Sequence, residues 1–266
     1  MSNSQRAGLP PEITSVLVES TLEERELGRA GNRLVRGRAR YGRGVYLKAA
    51  DGEVGAELLD EAERLRWIDG RLPVPAVLAT AQRDGWVFVV LSALQGVPAH
   101  EVRGTRAVVA LARAMRSVHA LPSVPNPFTG IVEHELEEAE RRVAAGEIDH
   151  DGFLEEVGSG PREVLRNLLI GPPVDELVFT HGDLCLPNVL ISAGIASGIV
   201  DWALAGIADP HRDFMSAELT IRRNLDESSI ETFYTAYGRD DIDPARTRYF
   251  WLLDKFTNHR QPQSEQ

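Results

Sequence analysis

Three oxygen-bearing side chains around a predicted hairpin constrain this chain more than any other feature. The segment His181–Asn188, which reads HGDLCLPN, leads into one short apolar run, and Asp201 closes the next one. Short apolar runs separated by a turn are typical of two strands joined as a hairpin. Such a hairpin returns Asn188 and Asp201 to the same edge, close behind the loop that carries Asp183.

The order of these groups is the order that phosphoryl transfer requires. Asp183 is the predicted catalytic base, which accepts the proton of an attacking hydroxyl. Asn188 and Asp201 are the predicted metal ligands, because Mg²⁺ prefers oxygen ligands. The predicted cofactors are therefore ATP and Mg²⁺. A lone His-Gly-Asp is a common loop, and an Asp after a strand is usually a turn former, so the prediction depends on the joint pattern.

The chain changes character after residue 96. Before it, the pattern predicts one helix over about 53–69 and strands over 34–37, 44–49, 76–81 and 86–91. After it, amphipathic helices predominate, at about 108–121, 131–145 and in the final third. The predicted class is α+β, a two-lobed protein-kinase-like fold. Residues 1–96 form a small β-rich nucleotide-binding lobe with a hinge at about 91–97. Residues 97–266 form a larger helical catalytic and substrate-binding lobe, and clefts between lobes favour ligands.

An independent feature lies in the first lobe. A kinase needs a lysine on a strand to hold the ATP phosphates and a helical glutamate to orient it. Lys48 lies on a predicted strand, and Glu61 lies on the helix that follows. Either residue alone is more often a solvated surface charge. Together with the loop they support a kinase.

Charge and composition limit the partners. Residues 1–96 carry 13 basic and 13 acidic side chains, so the whole net charge of −11 lies in residues 97–266. An acidic half repels nucleic acid and attracts a cationic small molecule, although it equally serves solubility. Membrane partners are not expected, because no apolar run approaches the roughly 20 residues of a spanning helix. A single cysteine, Cys185, and the absence of a secretory pattern predict a cytoplasmic protein. We expect a monomer or a weak homodimer.

With these features in place, the chain resembles the aminoglycoside phosphotransferases, especially the 3′-phosphotransferases. The resemblance extends from about residue 46 to residue 256. Its landmarks are Tyr46–Lys48, Trp67–Pro75, Gly146–Asp151, Glu176–Asn188, Ile199–Asp201, Ala208–Pro210, Asp213 and Leu252–Asp254. It implies an ATP-dependent O-phosphotransferase that modifies the 3′-hydroxyl of an aminoglycoside antibiotic and confers resistance.

The resemblance also implies roles for individual residues. Tyr46 stacks on adenine, and Leu91, Ser92, Ala93 and Leu94 form the hinge that reads its edge. Gly31 and Asn32 belong to the segment 28–32 that covers the phosphates. The ammonium groups of the acceptor meet a set of carboxylates, which are Asp149, Asp151, Glu155, Glu156 and Asp254. Such carboxylates suit a polyammonium ligand, because charge-assisted hydrogen bonds are stronger than neutral ones.

The acceptor side departs from the family pattern. Asp201 is followed by Trp202-Ala203-Leu204, where the relatives have Gly-Arg, and Lys255 replaces a carboxylate. Leu219 and Arg223 stand where an Arg and a Glu are expected, and the chain continues past Phe256 to Gln266. Two alternatives therefore stay open. One is a kinase of the same fold that takes another aminoglycoside, a macrolide, an amino alcohol or a sugar. The other is a nucleotide-binding protein without catalysis.

Overall fold

The computed structural model describes residues 9–17, 23–25, 33–39, 42, 44–171, 176–239 and 242–257, with only the backbone described at 23–25. By its internal contacts the chain divides into two compact units. The first consists of residues 1–114 and 186–204, and the second of residues 115–185 and 205–266. The predicted lobe boundary at residue 96 stays a prediction.

The first unit contains an antiparallel five-stranded sheet in the order β1-β2-β3-β5-β4. Up to residue 98 the elements of this unit, in chain order, are helix α1 (Pro11–Val16), strands β1 (Glu23–Arg25), β2 (Arg33–Arg38) and β3 (Gly44–Asp51), helix α2 (Gly52–Ile68), and strands β4 (Val77–Arg83), β5 (Trp86–Ser92) and β6 (Val97–Pro98). A 3-10 turn at Ala99–Glu101 precedes helix α3 (Thr105–His119), which passes from the first unit into the second after residue 114.

The alternation of side chains along strand β3 separates core residues from predicted site residues. Successive side chains of a strand point to opposite faces of the sheet. Val45, Leu47 and Ala49 are buried in one apolar cluster together with Ile13 of α1. Tyr46 and Lys48 point to the other face and stay half-buried. The alternation therefore places a lysine on the face opposite that apolar cluster.

The predicted hairpin belongs to the same unit. A 3-10 turn at Leu186–Asn188 leads into β8 (Val189–Ser192), which pairs antiparallel with β9 (Ile195–Ile199), and β6 pairs with the outer edge of β8. The tip is Ala193-Gly194, both with positive φ (52° and 82°), as a tight hairpin turn requires. The sequence predicted a second strand that ran on to Asp201. The observed strand ends at Ile199, because the backbone turns away at Asp201.

The second unit is mainly helical. It contains α4 (Ile131–Ala145), α5 (His150–Val157), α6 (Pro161–Leu168), α7 (His211–Asn224), α8 (Ser228–Tyr237) and α9 (Pro244–Thr257), with one pair of short strands, β7 (Val178–Thr180) and β10 (Gly206–Ala208). One apolar core joins α4, α5, α6, α7 and α9 and includes Phe153, Met215 and Phe256. The predicted α+β class, with a strand-rich first part and a helical second part, is confirmed.

Within the described ranges, no helix combines the length and the apolar composition that crossing a bilayer requires.

Candidate active site

The first unit brings Lys48 and Glu61 into direct contact. Lys48 Nζ donates to both carboxylate oxygens of Glu61, at 2.8 and 2.7 Å. Only 3% of the Glu61 side chain is exposed, against 21% for Lys48. Helix α2 starts directly after β3 and packs on β3 and β5, which carries Glu61 back to the lysine. Two residues that the sequence predicted to cooperate therefore form an ion pair whose carboxylate is buried.

Asp201 lies near the same lysine. Its Oδ1 atom is 3.9 Å from Lys48 Nζ, and 56% of its side chain is exposed. Burial alone would lower the pKa of Lys48, but the negative charges of Glu61 and Asp201 outweigh that effect and raise it. Lys48 therefore stays protonated at neutral pH. A positive charge between one buried and one exposed carboxylate is suited to binding a polyphosphate.

The hairpin brings the backbones of the two predicted metal ligands, Asn188 and Asp201, next to each other. The amide of Val200 donates to the carbonyl oxygen of Asn188 at 3.0 Å, so the residue before Asp201 is bonded to Asn188. Asn188 is buried, whereas Asp201 is exposed. Asp201 has φ of 69°, a left-handed conformation that Asp tolerates better than most residues. Strained backbone of this kind is concentrated at functional sites.

The departure at Trp202 has a structural explanation. Its side chain is fully buried, and its Nε1–H donates to the carbonyl oxygen of Ile199 at 3.0 Å. This bond closes the turn in which Asp201 lies. A side chain without exposed area cannot touch an acceptor, so Trp202 acts on the position of Asp201 and not on the choice of acceptor.

The predicted adenine residues lie on β3, β5 and the segment after β5. Tyr46 pairs in register with Leu91. The hinge backbone is held to its neighbours: Ser92 N–H donates to the Ala76 carbonyl at 2.9 Å, and Ala93 N–H donates to the Gly44 carbonyl at 2.9 Å. Leu94 packs so closely over the hairpin that a Cβ at Gly198 would come within 2.5 Å of its Cδ1. Gly31 and Asn32 lie outside the described residues, so their predicted role stays a prediction.

The loop that carries Asp183 is built in the second unit around a buried carboxylate. Asp213 accepts the backbone N–H of His181 at 2.8 Å and that of Gly182 at 2.7 Å. The N–H of Asp183 donates to Nδ1 of the buried His181 at 3.3 Å. The Asp183 side chain itself is half-buried and accessible. His181 and Asp213 therefore fix the backbone that leads into the predicted base.

Three residues of this support were given no role from the sequence: Asp213, His119 and Tyr237. His119 Nε2 lies 2.9 Å from Asp213 Oδ2, and its Nδ1 lies 2.9 Å from the Tyr237 hydroxyl. Burial alone would raise the pKa of Asp213, but the hydrogen bonds and electrostatic interactions with His119 and His181 lower it. Burial raises the pKa of Tyr237 to about 12. Asp213 was already a landmark of the resemblance, and that position was the signal from which its role could have been identified.

The predicted acceptor carboxylates are divided between the ends of two helices. Asp149 caps α5, because its Oδ1 accepts the N–H of Asp151 at 3.3 Å. Asp151 and Glu155 are exposed along α5, one turn apart. Asp254 is half-buried near the end of α9. The structure brings α5 and α9 together through the rings of Phe153 and Phe256, whose centroids are 4.9 Å apart. The carboxylates thus lie on two helices that are in contact through these rings.

Glu156 has a cationic partner from the same chain. Lys255 Nζ lies 2.5 Å from Glu156 Oε1, and 4.7 Å from the centre of the Trp251 ring. The Lys255 side chain is 15% exposed and the Glu156 side chain 55%. The resemblance predicted that Glu156 would meet an ammonium group of the acceptor. In this chain an ammonium group of the protein already lies there.

The residues at the hairpin fit a magnesium ion. The amide oxygen of Asn188 and the carboxylate of Asp201 form a hard oxygen donor set of the kind that Mg²⁺ binds together with phosphate oxygens. The exposed carboxylate of Asp201 leaves room for further ligands.

Comparisons with known proteins identify the family of the chain. The model of the phosphotransferase enzyme family matches residues 25–250. An aminoglycoside 3′-phosphotransferase of Niallia circulans is 33% identical over 260 residues, which cover 96% of this chain and 99% of that protein.

Solved structures show the same fold. An aminoglycoside 3′-phosphotransferase of type VIII superposes with a TM-score of 0.79 and 29% identity, covering 90% of this chain and 94% of that one. An aminoglycoside phosphotransferase of the 3″ class from Streptomyces rimosus, in complex with ADP and streptomycin, superposes with a TM-score of 0.70 and 28% identity. The match covers 86% of this chain and 94% of that one. The predicted protein-kinase-like fold is confirmed. With a family model that matches most of its length and a relative at 33% identity over nearly all of it, the chain belongs to the phosphotransferase enzyme family.

Proposed function

We propose that this protein transfers the γ-phosphate of ATP to a hydroxyl of an aminoglycoside antibiotic and so confers resistance. The 3′-hydroxyl is the favoured acceptor. The observation that carries the proposal is the cluster of Lys48, Glu61 and Asp201, in which a protonated lysine is bonded to a buried carboxylate and lies beside an exposed one. Relatives with the same fold act on aminoglycosides.

Lys48 binds the phosphates of ATP in this proposal. The carboxylate of Glu61 is 97% covered and holds Nζ through two hydrogen bonds, so the ammonium group is positioned before the nucleotide arrives. Positioning before binding lowers the cost of ordering the side chain in the complex. Tyr46 and the hinge residues 91–94 bind the adenine, and the segment that includes Gly31 and Asn32 covers the phosphates.

Asn188 and Asp201 would hold Mg²⁺, which supplies positive charge to the phosphate oxygens when it is bound. Asp183 accepts the proton of the acceptor hydroxyl as the new oxygen–phosphorus bond forms. The bond between the γ-phosphorus and its bridging oxygen breaks, and ADP leaves with that oxygen. The backbone of the base is fixed by Asp213, so Asp183 keeps its place while the reactants change.

The acceptor is recognised by carboxylates of the second unit. Asp149, Asp151 and Glu155 on or beside α5 and Asp254 on α9 complement a polyammonium ligand, and the two helices are in contact through Phe153 and Phe256. Their charges are part of the −11 that resides in residues 97–266. An acidic face also raises the local concentration of a cationic substrate.

The cellular setting follows from the same features. We propose a cytoplasmic enzyme, active as a monomer or a weak homodimer, with no nucleic acid or membrane partner. Its acidic net charge disfavours binding to nucleic acid.

The test is a coupled assay of ATP consumption with Mg²⁺ and a panel of acceptors: kanamycin, neomycin, streptomycin, hygromycin B, a macrolide and choline. We expect turnover of kanamycin or neomycin and a phosphate at the 3′ position by mass spectrometry and NMR. Turnover only with another member would favour the first alternative. Binding of ATP without turnover of any member would favour a nucleotide-binding protein without catalysis.

The catalytic assignment is tested with Asp183→Asn in the same assay. We expect kcat to fall by about 10²- to 10⁴-fold, because the variant keeps the shape of the base and removes its proton affinity. Binding of ATP, measured by calorimetry, should be retained. The matched control is Asp84→Asn, which alters an exposed aspartate at the turn between β4 and β5. Equal kcat values for the wild type and Asp183→Asn would exclude Asp183 as the base.

A further inference from the structure

Lys255 lies in an environment that resembles a binding site for an ammonium group. One side of its Nζ faces the Glu156 carboxylate at 2.5 Å, and another faces the Trp251 ring at 4.7 Å. A carboxylate and an aromatic face are two of the groups that proteins use to bind organic cations. Only 15% of the Lys255 side chain is exposed. The chain thus occupies this place with its own ammonium group.

The ion pair lies on the two helices to which the proposed function assigns the acceptor. Glu156 follows Phe153 by three residues and therefore lies on the same face of α5, the face that packs on α9. Lys255 precedes Phe256 on α9. The pair thus joins the two helices that carry the predicted acceptor carboxylates.

We propose that Lys255 is a specificity-determining residue, which neutralises Glu156 and closes one ammonium subsite of the acceptor-binding face. The enzyme then prefers aminoglycosides that present a neutral hydroxyl, in place of an ammonium group, toward the junction of α5 and α9. A second ammonium group would have to displace Lys255 from Glu156 or lie beside its charge, and both are unfavourable. The inference rests on the proposed function and adds the class of acceptor.

A purely structural role for Lys255 has to be distinguished from a role in acceptor specificity. A lysine in the last turn of a helix interacts favourably with the helix dipole, and an ion pair between two helices could merely hold them together. The helices are already joined by the packing of Phe153 on Phe256. A purely structural lysine would change stability and leave the choice of acceptor unaltered.

The experiment uses acceptor pairs that differ in a single group. Kanamycin A and kanamycin B differ by a hydroxyl or an amine at one carbon, and so do paromomycin and neomycin. KM and kcat are measured for each with the full-length wild type, Lys255→Met and the double variant Lys255→Met/Glu156→Gln. We expect Lys255→Met to lower KM for the amine member of at least one pair by about fivefold, with a smaller change for the hydroxyl member and little change in kcat. The second substitution should cancel this gain, because it removes the freed carboxylate.

The matched control is Arg248→Met. Arg248 places its guanidinium 4.3 Å from the centre of the same Trp251 ring, but it is not paired with Glu156. This variant should have the same ratio of KM for the amine member to KM for the hydroxyl member as the wild type. The inference is wrong if Arg248→Met shifts the ratio as much as Lys255→Met, or if Lys255→Met changes both members by the same factor. It is also wrong if only the melting temperature changes.

Calorimetric binding of each acceptor in the absence of ATP separates this inference from the proposed function. A wild type that transfers no phosphate, with Lys255→Met still shifting binding toward the amine member, would refute the proposed function and support the subsite. Phosphate transfer by the wild type, without any shift in acceptor preference in Lys255→Met, would support the proposed function and refute the subsite. Neither transfer nor binding of any aminoglycoside would refute both.

Discussion

Each unit of the molecule contains a lysine–glutamate pair, and the two pairs differ in what surrounds them. In the first unit, Lys48 donates to both oxygens of Glu61, whose side chain is nearly inaccessible. In the second, Lys255 contacts one oxygen of Glu156, and more than half of that glutamate is exposed. The glutamate of the first pair is buried and closed to solvent. The glutamate of the second pair is open to solvent.

The difference matches the two substrates that we propose. ATP presents the same phosphates in every reaction, so a rigid, buried pair suits it. Acceptors vary in the number and position of their amines, so a partly solvated pair can be changed by one substitution at low cost. The burial of Glu61 and the exposure of Glu156 therefore predict different consequences when each pair is broken.

The largest effect is expected for Glu61→Gln. The variant leaves the positive charge of Lys48 in a largely buried position without its main partner, and the free energy of unfolding should fall by about 3 kcal/mol. Urea unfolding of the wild type and the variant measures the change, and KM for ATP should rise in the same preparation. Glu63→Gln, which alters an exposed glutamate of the same helix, is the control. A Glu61 variant as stable as that control would show that burial does not strengthen the pair.

A smaller effect is expected at alkaline pH. The pKa of Lys48 is raised in the folded protein, so the folded state retains its proton at a pH where the unfolded chain has lost it. The stability from this group is fully present below the unfolded value near 10.5 and is lost as the pH rises through the higher folded value. The difference in unfolding free energy between the wild type and Lys48→Met should therefore shrink above about pH 10.5. A constant difference across that range would contradict the assigned direction.

The smallest effect is expected for Glu156→Gln. An exposed ion pair contributes about 0.2 to 1 kcal/mol, so unfolding by urea should change by no more than this. Comparison with Glu61→Gln under the same conditions tests the contrast directly. A loss from Glu156→Gln as large as that from Glu61→Gln would mean that the second pair is structural, and that acceptors do not compete for it.

Much of the site could be predicted because its chemistry depends on local order. The spacing of Asp183, Asn188 and Asp201 predicted a loop followed by a hairpin, and the hairpin is present. The alternation of β3 placed Lys48 opposite the apolar cluster, and the helix that follows returned Glu61 to it. The support from His119 and Tyr237 was missed, because a single histidine or tyrosine on an amphipathic helix carries no signal of its partner.

By itself, the sequence determined the class of fold and the order of the elements and supplied the candidate reactive groups, since strand alternation, helix periodicity and turn residues act over a few positions. Only the tertiary structure decided that Asp213 receives two amides of the loop, that Trp202 is buried behind Asp201, and that Lys255 pairs with Glu156. The bonds of Asp213 to the loop backbone, and of Lys255 to Glu156, join groups far apart in the chain. The burial of Trp202 depends on the core around it. All three are set by how helices and strands pack, which no local pattern specifies.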